Sequence, residues 1–146
     1  MIPSDDVKRA VHTLHRYFIW ANRLWIHLDD QLASNRQQGK RDEIQTFLYM
    51  SYWYAALYVV VEGWKKLHLH DKAIDGLLSS PNVGLLRRYR NGVFHFHAEY
   101  YDQRFIQFIS EGENTVEWVR TLSRQFGRFF LDWFKRTKEA SNAKGS

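Results

Sequence analysis

Val7, Val11, Leu14, Phe18, Ala21, Trp25, Leu28 and Leu32 recur at alternating spacings of four and three, drawing one apolar stripe through about seven turns of a long helix. Ser4 ahead of Asp5 and Asp6 supplies a capping residue and acids in the first turn. The polar run from Ser34 to Lys40, which holds Gly39, predicts the first connection. A second helix is expected from about Asp42 to His70. Its stretch from Phe47 to Val61 carries no charge and is apolar on every side, so protein or lipid has to cover it all round. Lipid is the weaker option, because the span is short for a bilayer and Tyr49, Tyr52, Trp53, Tyr54 and Tyr58 sit in its middle, away from the interfaces where such rings anchor. Burial against a second subunit is the expected cover.

Asp71 to Ser80 reads as a short helix or turn, closed by Ser79-Ser80-Pro81-Asn82. A third long element starts near Val83. Gly92 inside it costs roughly 1 kcal/mol of helix propensity against Ala and marks a kink or a close approach of backbone. Phe105, Ile106, Phe108 and Ile109 give a further apolar pattern that ends at Glu111-Gly112-Glu113-Asn114. The last helix begins at Thr115, with Val116, Val119, Leu122, Phe126, Phe129, Phe130 and Trp133 as its buried face, and residues 135–146 read as a flexible tail. The fold class is therefore all-α, a single domain over residues 1–146 with no internal repeat.

Composition narrows the chemistry. The chain has no Cys among its 146 residues, so a disulfide framework, a thiolate zinc site and a thiol nucleophile are all excluded, which suits a reducing cytoplasm. Met-Ile-Pro-Ser-Asp-Asp lacks the basic and apolar regions of a signal peptide, and a cytoplasmic location is expected. The formal charge of +5 mildly favours polyanionic partners. Rings make up 16% of the chain. Most such rings fill cores and interfaces, and stacking on bases is the less common use.

Candidate chemistry concentrates in Arg90-Asn91-Gly92-Val93-Phe94-His95. Arg gives a planar fork of donors for phosphoryl oxygens, Asn both donates and accepts, and His exchanges protons near neutral pH. On a straight helix Asn91 and His95 share a face while Arg90 lies off it, so parts converging across a kink or between two copies of the chain suit the set better. Arg87 and Arg88 extend the basic cluster that can meet phosphate. Glu62 closes the charge-free stretch, and either pairs with Arg90 or bridges to Lys66 one turn on. The pairs His68 with His70 and His95 with His97 hint at metal. Residues two apart on a helix do not face each other, and no carboxylate stands at ligand spacing, so neither a metal nor a cofactor is expected.

Arg90, Asn91 and His95 match R-N-x-x-x-H, and the chain resembles the HEPN domains, all-helical proteins whose ribonuclease members carry that motif near the start of a late helix. The aromatic-rich helix ending in Val61-Glu62-Gly63-Trp64, the Asp71 to Ser80 segment and Leu85-Leu86-Arg87-Arg88-Tyr89 fit the same context over most of the chain. The resemblance implies an antiparallel bundle of four to five helices, a homodimer, and a composite site at the dimer interface that cleaves RNA without metal. Arg90, Asn91 and His95 would be catalytic, Glu62 and His97 supporting, and Arg87 and Arg88 RNA-binding. An antitoxin or a nucleotidyltransferase is the further partner such a toxin or defence component implies, with no membrane. One departure is His97, which stands where members silenced by nucleotide attachment carry Tyr. Two other classes stay open: a silent domain that binds RNA or a nucleotide, and a protein-interaction module.

Overall fold

A computed structural model describes residues 4–39 and 42–145 of the chain. Six helices account for the regular structure, α1 Asp5–Gln38, α2 Glu43–Lys66, α3 Lys72–Leu78, α4 Asn82–Phe94, α5 Gln103–Ser110 and α6 Thr115–Lys144. No strand occurs among the described residues. The all-α reading holds, with six helices in place of four to five, because the two shortest elements, α3 and α5, are complete capped helices. Asp71 accepts from the backbone N–H groups of Ala73 and Ile74, and Asp102 accepts from that of Arg104.

In α1 the apolar stripe does what its spacing predicts. Val11, Leu14, Phe18, Ala21 and Leu28 are buried, whereas Val7, at the open end, is largely exposed. Ser4 caps the helix by accepting from Val7 N–H. The helix outruns its expected end and reaches Gln38, so Ser34 to Gln38 is helical. That segment holds neither Gly nor Pro, and the Gln31 carboxamide donates to Asn35 Oδ1 one turn on at 3.0 Å. Gly39, at φ 61°, then stops it in the left-handed conformation that glycine adopts without strain. Lys40 lies outside the described residues.

The second helix is shorter than expected, ending at Lys66, and His68 turns the chain with φ 52°. Its apolar surround is also mostly covered from within. Ser51, Trp53, Tyr54, Ala55, Leu57, Tyr58, Val60, Val61 and Trp64 are buried, and Ile44, Phe47, Leu48 and Tyr52 remain open to solvent. Helix α1 packs on α2 and α6, α2 on α4, α4 on α5, and α3 on α6. A Cβ at Gly63 would come within 2.4 Å of Leu14 Cδ1, so the α1–α2 contact uses the missing side chain.

Ring edges fill the centre. Trp64 meets Phe129 at 4.6 Å and Phe126 at 5.7 Å between centroids, while Tyr54, Tyr89 and Phe108 form a triangle of edge contacts. Each large apolar side chain so buried contributes about 1.5–3 kcal/mol, and ring pairs add about 0.5–1.5 kcal/mol. Burial pushes the Tyr54 and Tyr89 hydroxyls up to about 12, so both stay neutral. In α6, Val119, Leu122, Phe126, Phe129, Phe130 and Trp133 are buried as expected. Val116 is exposed, and Trp118 lies inside in its place, its indole N–H donating to the Leu77 carbonyl at 3.1 Å. The expected tail from Lys135 is helical as far as Lys144. Loss of the apolar stripe there does not end the helix, because Lys, Arg, Glu and Ala are strong helix formers and the Thr137 hydroxyl donates back to the Trp133 carbonyl.

Candidate functional site

The site is built on α4, whose start and middle are bolted to the core. Asn82, at the start of the helix, exchanges two hydrogen bonds with the Glu113 backbone, at 2.8 and 3.0 Å. Leu86 and Tyr89 are fully buried, and the Tyr89 hydroxyl shares a 2.9 Å hydrogen bond with Ser51 Oγ of α2. With Tyr89 held inward, the next residue turns to the edge of α2. There Arg90 Nη1 donates to Glu62 Oε2 at 3.1 Å, Arg90 Nε donates to Asn91 Oδ1 at 3.0 Å, and the guanidinium carbon lies 4.8 Å from the centre of the Tyr58 ring.

Three neighbours therefore fix one cation. Of the two partners open to Glu62, the structure selects Arg90. Glu62 is about half exposed, so the ion pair contributes little to stability, roughly 0–1 kcal/mol. Its effect is orientation, since it directs the Arg90 fork along a set line. Tyr58, one turn before Glu62, is the partner that sequence reasoning missed as a site residue. The signal lay in the i, i+4 spacing of Tyr58 and Glu62 on one face of α2.

The end of α4 departs from a straight-helix reading. Gly92 causes no break, and the helix runs on to Phe94. A Cβ at Gly92 would fall 2.9 Å from Phe105 Cε1, so of the two expectations it is the close approach, here to α5, that is realised. His95 leaves the helix with φ −121° and ψ 116°. Its side chain therefore does not continue the Asn91 face, and the Asn91 carboxamide orients Arg90 instead of His95. His95 and His97 are exposed, and His97 Nδ1 accepts from Glu99 N–H at 3.2 Å. Arg87 and Arg88 are exposed on α4.

A second arginine secures that helix end. Arg104 Nη1 donates to the Asn91 carbonyl at 3.2 Å and Nη2 to the His95 carbonyl at 3.1 Å, while Asp102 accepts from Nε through both oxygens and from Nη2. Arg104 thus adds, from α5, a second donor to the Asn91 carbonyl, which already accepts from His95 N–H, and a donor to the His95 carbonyl beyond the helix end. No motif in the sequence marked Arg104, because its partners are backbone atoms. The Arg104 hydrogen bond, with smaller help from the Arg104 N–H and charge, holds the Asp102 carboxyl below the usual range. A carboxyl with a lowered native pKa adds stability that is fully present above its unfolded value near 3.9 and is lost as pH falls through the native one. Asp102→Asn is therefore expected to flatten the acid limb of the stability curve below about pH 4. Arg104→Ala should cost about 1–3 kcal/mol by removing the guanidinium bonds to the Asn91 and His95 carbonyls and to the Asp102 carboxylate, read by urea unfolding, and should speed amide exchange across residues 95–102. Unchanged exchange there would show that Arg104 does not hold the loop.

On the α1 side Glu62 borders a shallow groove of about 340 Å³ shared with Thr13, Tyr17, Val59 and Lys66. A larger cleft of about 1010 Å³ lies where the end of α1, the start of α2 and Arg120 of α6 meet, and none of Arg90, Asn91 and His95 lines it. The smaller groove holds none of the three either; the larger is lined by Arg36 and by Arg120, which pairs with Asp29 at 2.9 and 3.3 Å. Among the described residues no three His, Asp or Glu side chains converge as a metal site needs. Comparison of the chain with protein families, with curated proteins and with solved structures gives no match.

Proposed function

We propose that the protein is a metal-independent endoribonuclease of the HEPN type, working as a homodimer with a composite site, in the setting of a toxin or defence system of the cytoplasm. The observation that carries the reading is the Arg90 guanidinium held by Glu62, Asn91 and Tyr58, five residues before an exposed imidazole on an anchored chain end. The R-N-x-x-x-H resemblance and the basic residues Arg87 and Arg88 support it.

In this reading one His95 takes the proton from a ribose 2′-hydroxyl, O2′ attacks the adjacent phosphorus, and the bond to O5′ breaks. The departing 5′-oxygen takes a proton from His95 of the second copy. The products are a 2′,3′-cyclic phosphate and a 5′-hydroxyl. Arg90 neutralises the crowded phosphoryl oxygens, a service already oriented before substrate arrives. The second copy is supported by the open strip Ile44, Leu48 and Tyr52, the last in edge contact with Phe94 at 6.1 Å. We read that strip, whose Tyr52 end reaches Phe94, as the surface that meets the second copy.

Cleavage is expected to persist in EDTA, to fail on DNA, and to fail where the 2′-hydroxyl at the scissile bond is methylated. Light scattering at micromolar concentration should give a dimer, and a stable 17.6 kDa monomer that still cleaves would sink the composite site. Loss of activity with chelator would refute the chemistry, and tight RNA binding with no cleavage would move the assignment to a silent binding domain.

A further inference from the structure

The segment between α4 and α5 exposes more aromatic surface than any structural need explains. Phe96 is 96% exposed, Tyr100 90% and Tyr101 73%, although the same chain buries other Phe and Tyr rings completely. Tyr100 and Tyr101 meet edge to face at 5.2 Å and otherwise stand open. The segment is nevertheless secured at both ends, by Arg104 on the Asn91 and His95 carbonyls and by Asp102 at the start of α5, with the Glu99 N–H to His97 contact between them. Secured ends keep the rings presented to solvent instead of collapsing onto the core, and they lower the ordering cost of binding.

The helix that leads into this segment, α4, carries cations. Arg87, Arg90 and Phe94 fall at i, i+3 and i+7 of α4, which puts them on one side of the helix, and the helix rise spreads them over about 10 Å. Among the described residues no carboxylate pairs with Arg87 or Arg88. Cations on a helix that runs directly into open rings suit an unpaired nucleic-acid strand, since its phosphates meet the cations and its bases stack on the rings. A duplex hides those base faces. A second copy of the chain would want a continuous apolar face, whereas these rings are interspersed with His95, His97 and Glu99.

We infer that residues 95–102 form a stacking platform, on which Phe96, Tyr100 and Tyr101 take the bases of an unpaired RNA strand while Arg87 and Arg90 hold its phosphates. The inference rests on the ribonuclease reading of the adjacent site and adds to it the substrate class and the residues that select it.

The test uses the full chain carrying His95→Ala, so that RNA is not consumed, and follows anisotropy of a labelled twelve-nucleotide unpaired RNA and of the same strand in a duplex. The unpaired strand is expected to bind more tightly. Removing each ring (Phe96→Ala, Tyr100→Ala, Tyr101→Ala) should weaken it roughly five-fold to a hundred-fold and leave the salt dependence unchanged, because no cation is lost. Arg87→Ala should weaken both forms and reduce the salt slope by about one. Phe96→Trp should retain binding, because an indole stacks as well as a phenyl ring. Equal binding by the triple alanine variant overturns the platform while the ribonuclease reading stands. A fall from dimer to monomer in that variant assigns the rings to subunit contact and also overturns it. Failure of both RNA forms to bind the unmodified rings removes both readings.

Discussion

His95→Ala and Arg90→Ala are each expected to lower RNA cleavage by about 10²–10⁴ while the helical fold survives. The imidazole is exposed, and the bonds that fix the chain at His95 come from its backbone, N–H to the Asn91 carbonyl and carbonyl from Arg104. Removing the side chain therefore subtracts proton transfer and leaves the scaffold in place. At Arg90 the partner carboxylate is about half exposed, so the stranded Glu62 is solvated at little cost. Arg90→Lys should rescue only weakly, since an ammonium cannot donate to Glu62 and Asn91 in the geometry of a planar fork. Glu62→Gln should fall between wild type and Arg90→Ala, because the cation remains but is less directed. Initial rates on a short RNA with thermal melts by circular dichroism decide it. Cleavage surviving in the His95→Ala protein would remove the imidazole from the mechanism.

Much of this arrangement is legible in the residues themselves. The four-three spacing of Val11, Leu14 and Phe18 specifies which face of α1 is buried, and Ser4 announces a helix start through the oxygen it offers to an open N–H. The helix ends were less legible. The segments 34–38 and 135–144 are polar on all sides, and a polar helix leaves no periodic trace even when propensity alone carries it forward. The site divides along the same line. Arg90 with Glu62 was within reach because charge on an apolar line demands a partner. The Arg104 clamp was not, because it satisfies carbonyls, which every residue has. Nor did the motif spacing reveal that His95 steps out of the helix, since the chain end there is held by Arg104 of α5.

Trp64→Ala is expected to be the most damaging single substitution in the core, at about 3–5 kcal/mol. The indole is 1% exposed, its ring edges meet Phe126 and Phe129 of α6, and its N–H donates to Asp75 Oδ1 of α3 at 3.1 Å, so one side chain ties three helices together. Against a typical total of about 5–15 kcal/mol, that loss moves the melting temperature down by about 10 °C or more in a domain of this size. Trp64→Phe keeps a ring against α6 and loses chiefly the Asp75 hydrogen bond, an effect of about 1–2 kcal/mol. The consequence for the site follows from position, since Trp64 lies two residues after Glu62 on the last turns of α2. A loosened α2 end frees Glu62 from Arg90, so activity in the Trp64→Ala protein should fall at growth temperature and recover on cooling, whereas Arg90→Ala should stay inactive at every temperature. Urea midpoints and activity measured across temperature separate the two. A Trp64→Ala protein with an unchanged midpoint would show that α2, α3 and α6 are held together elsewhere.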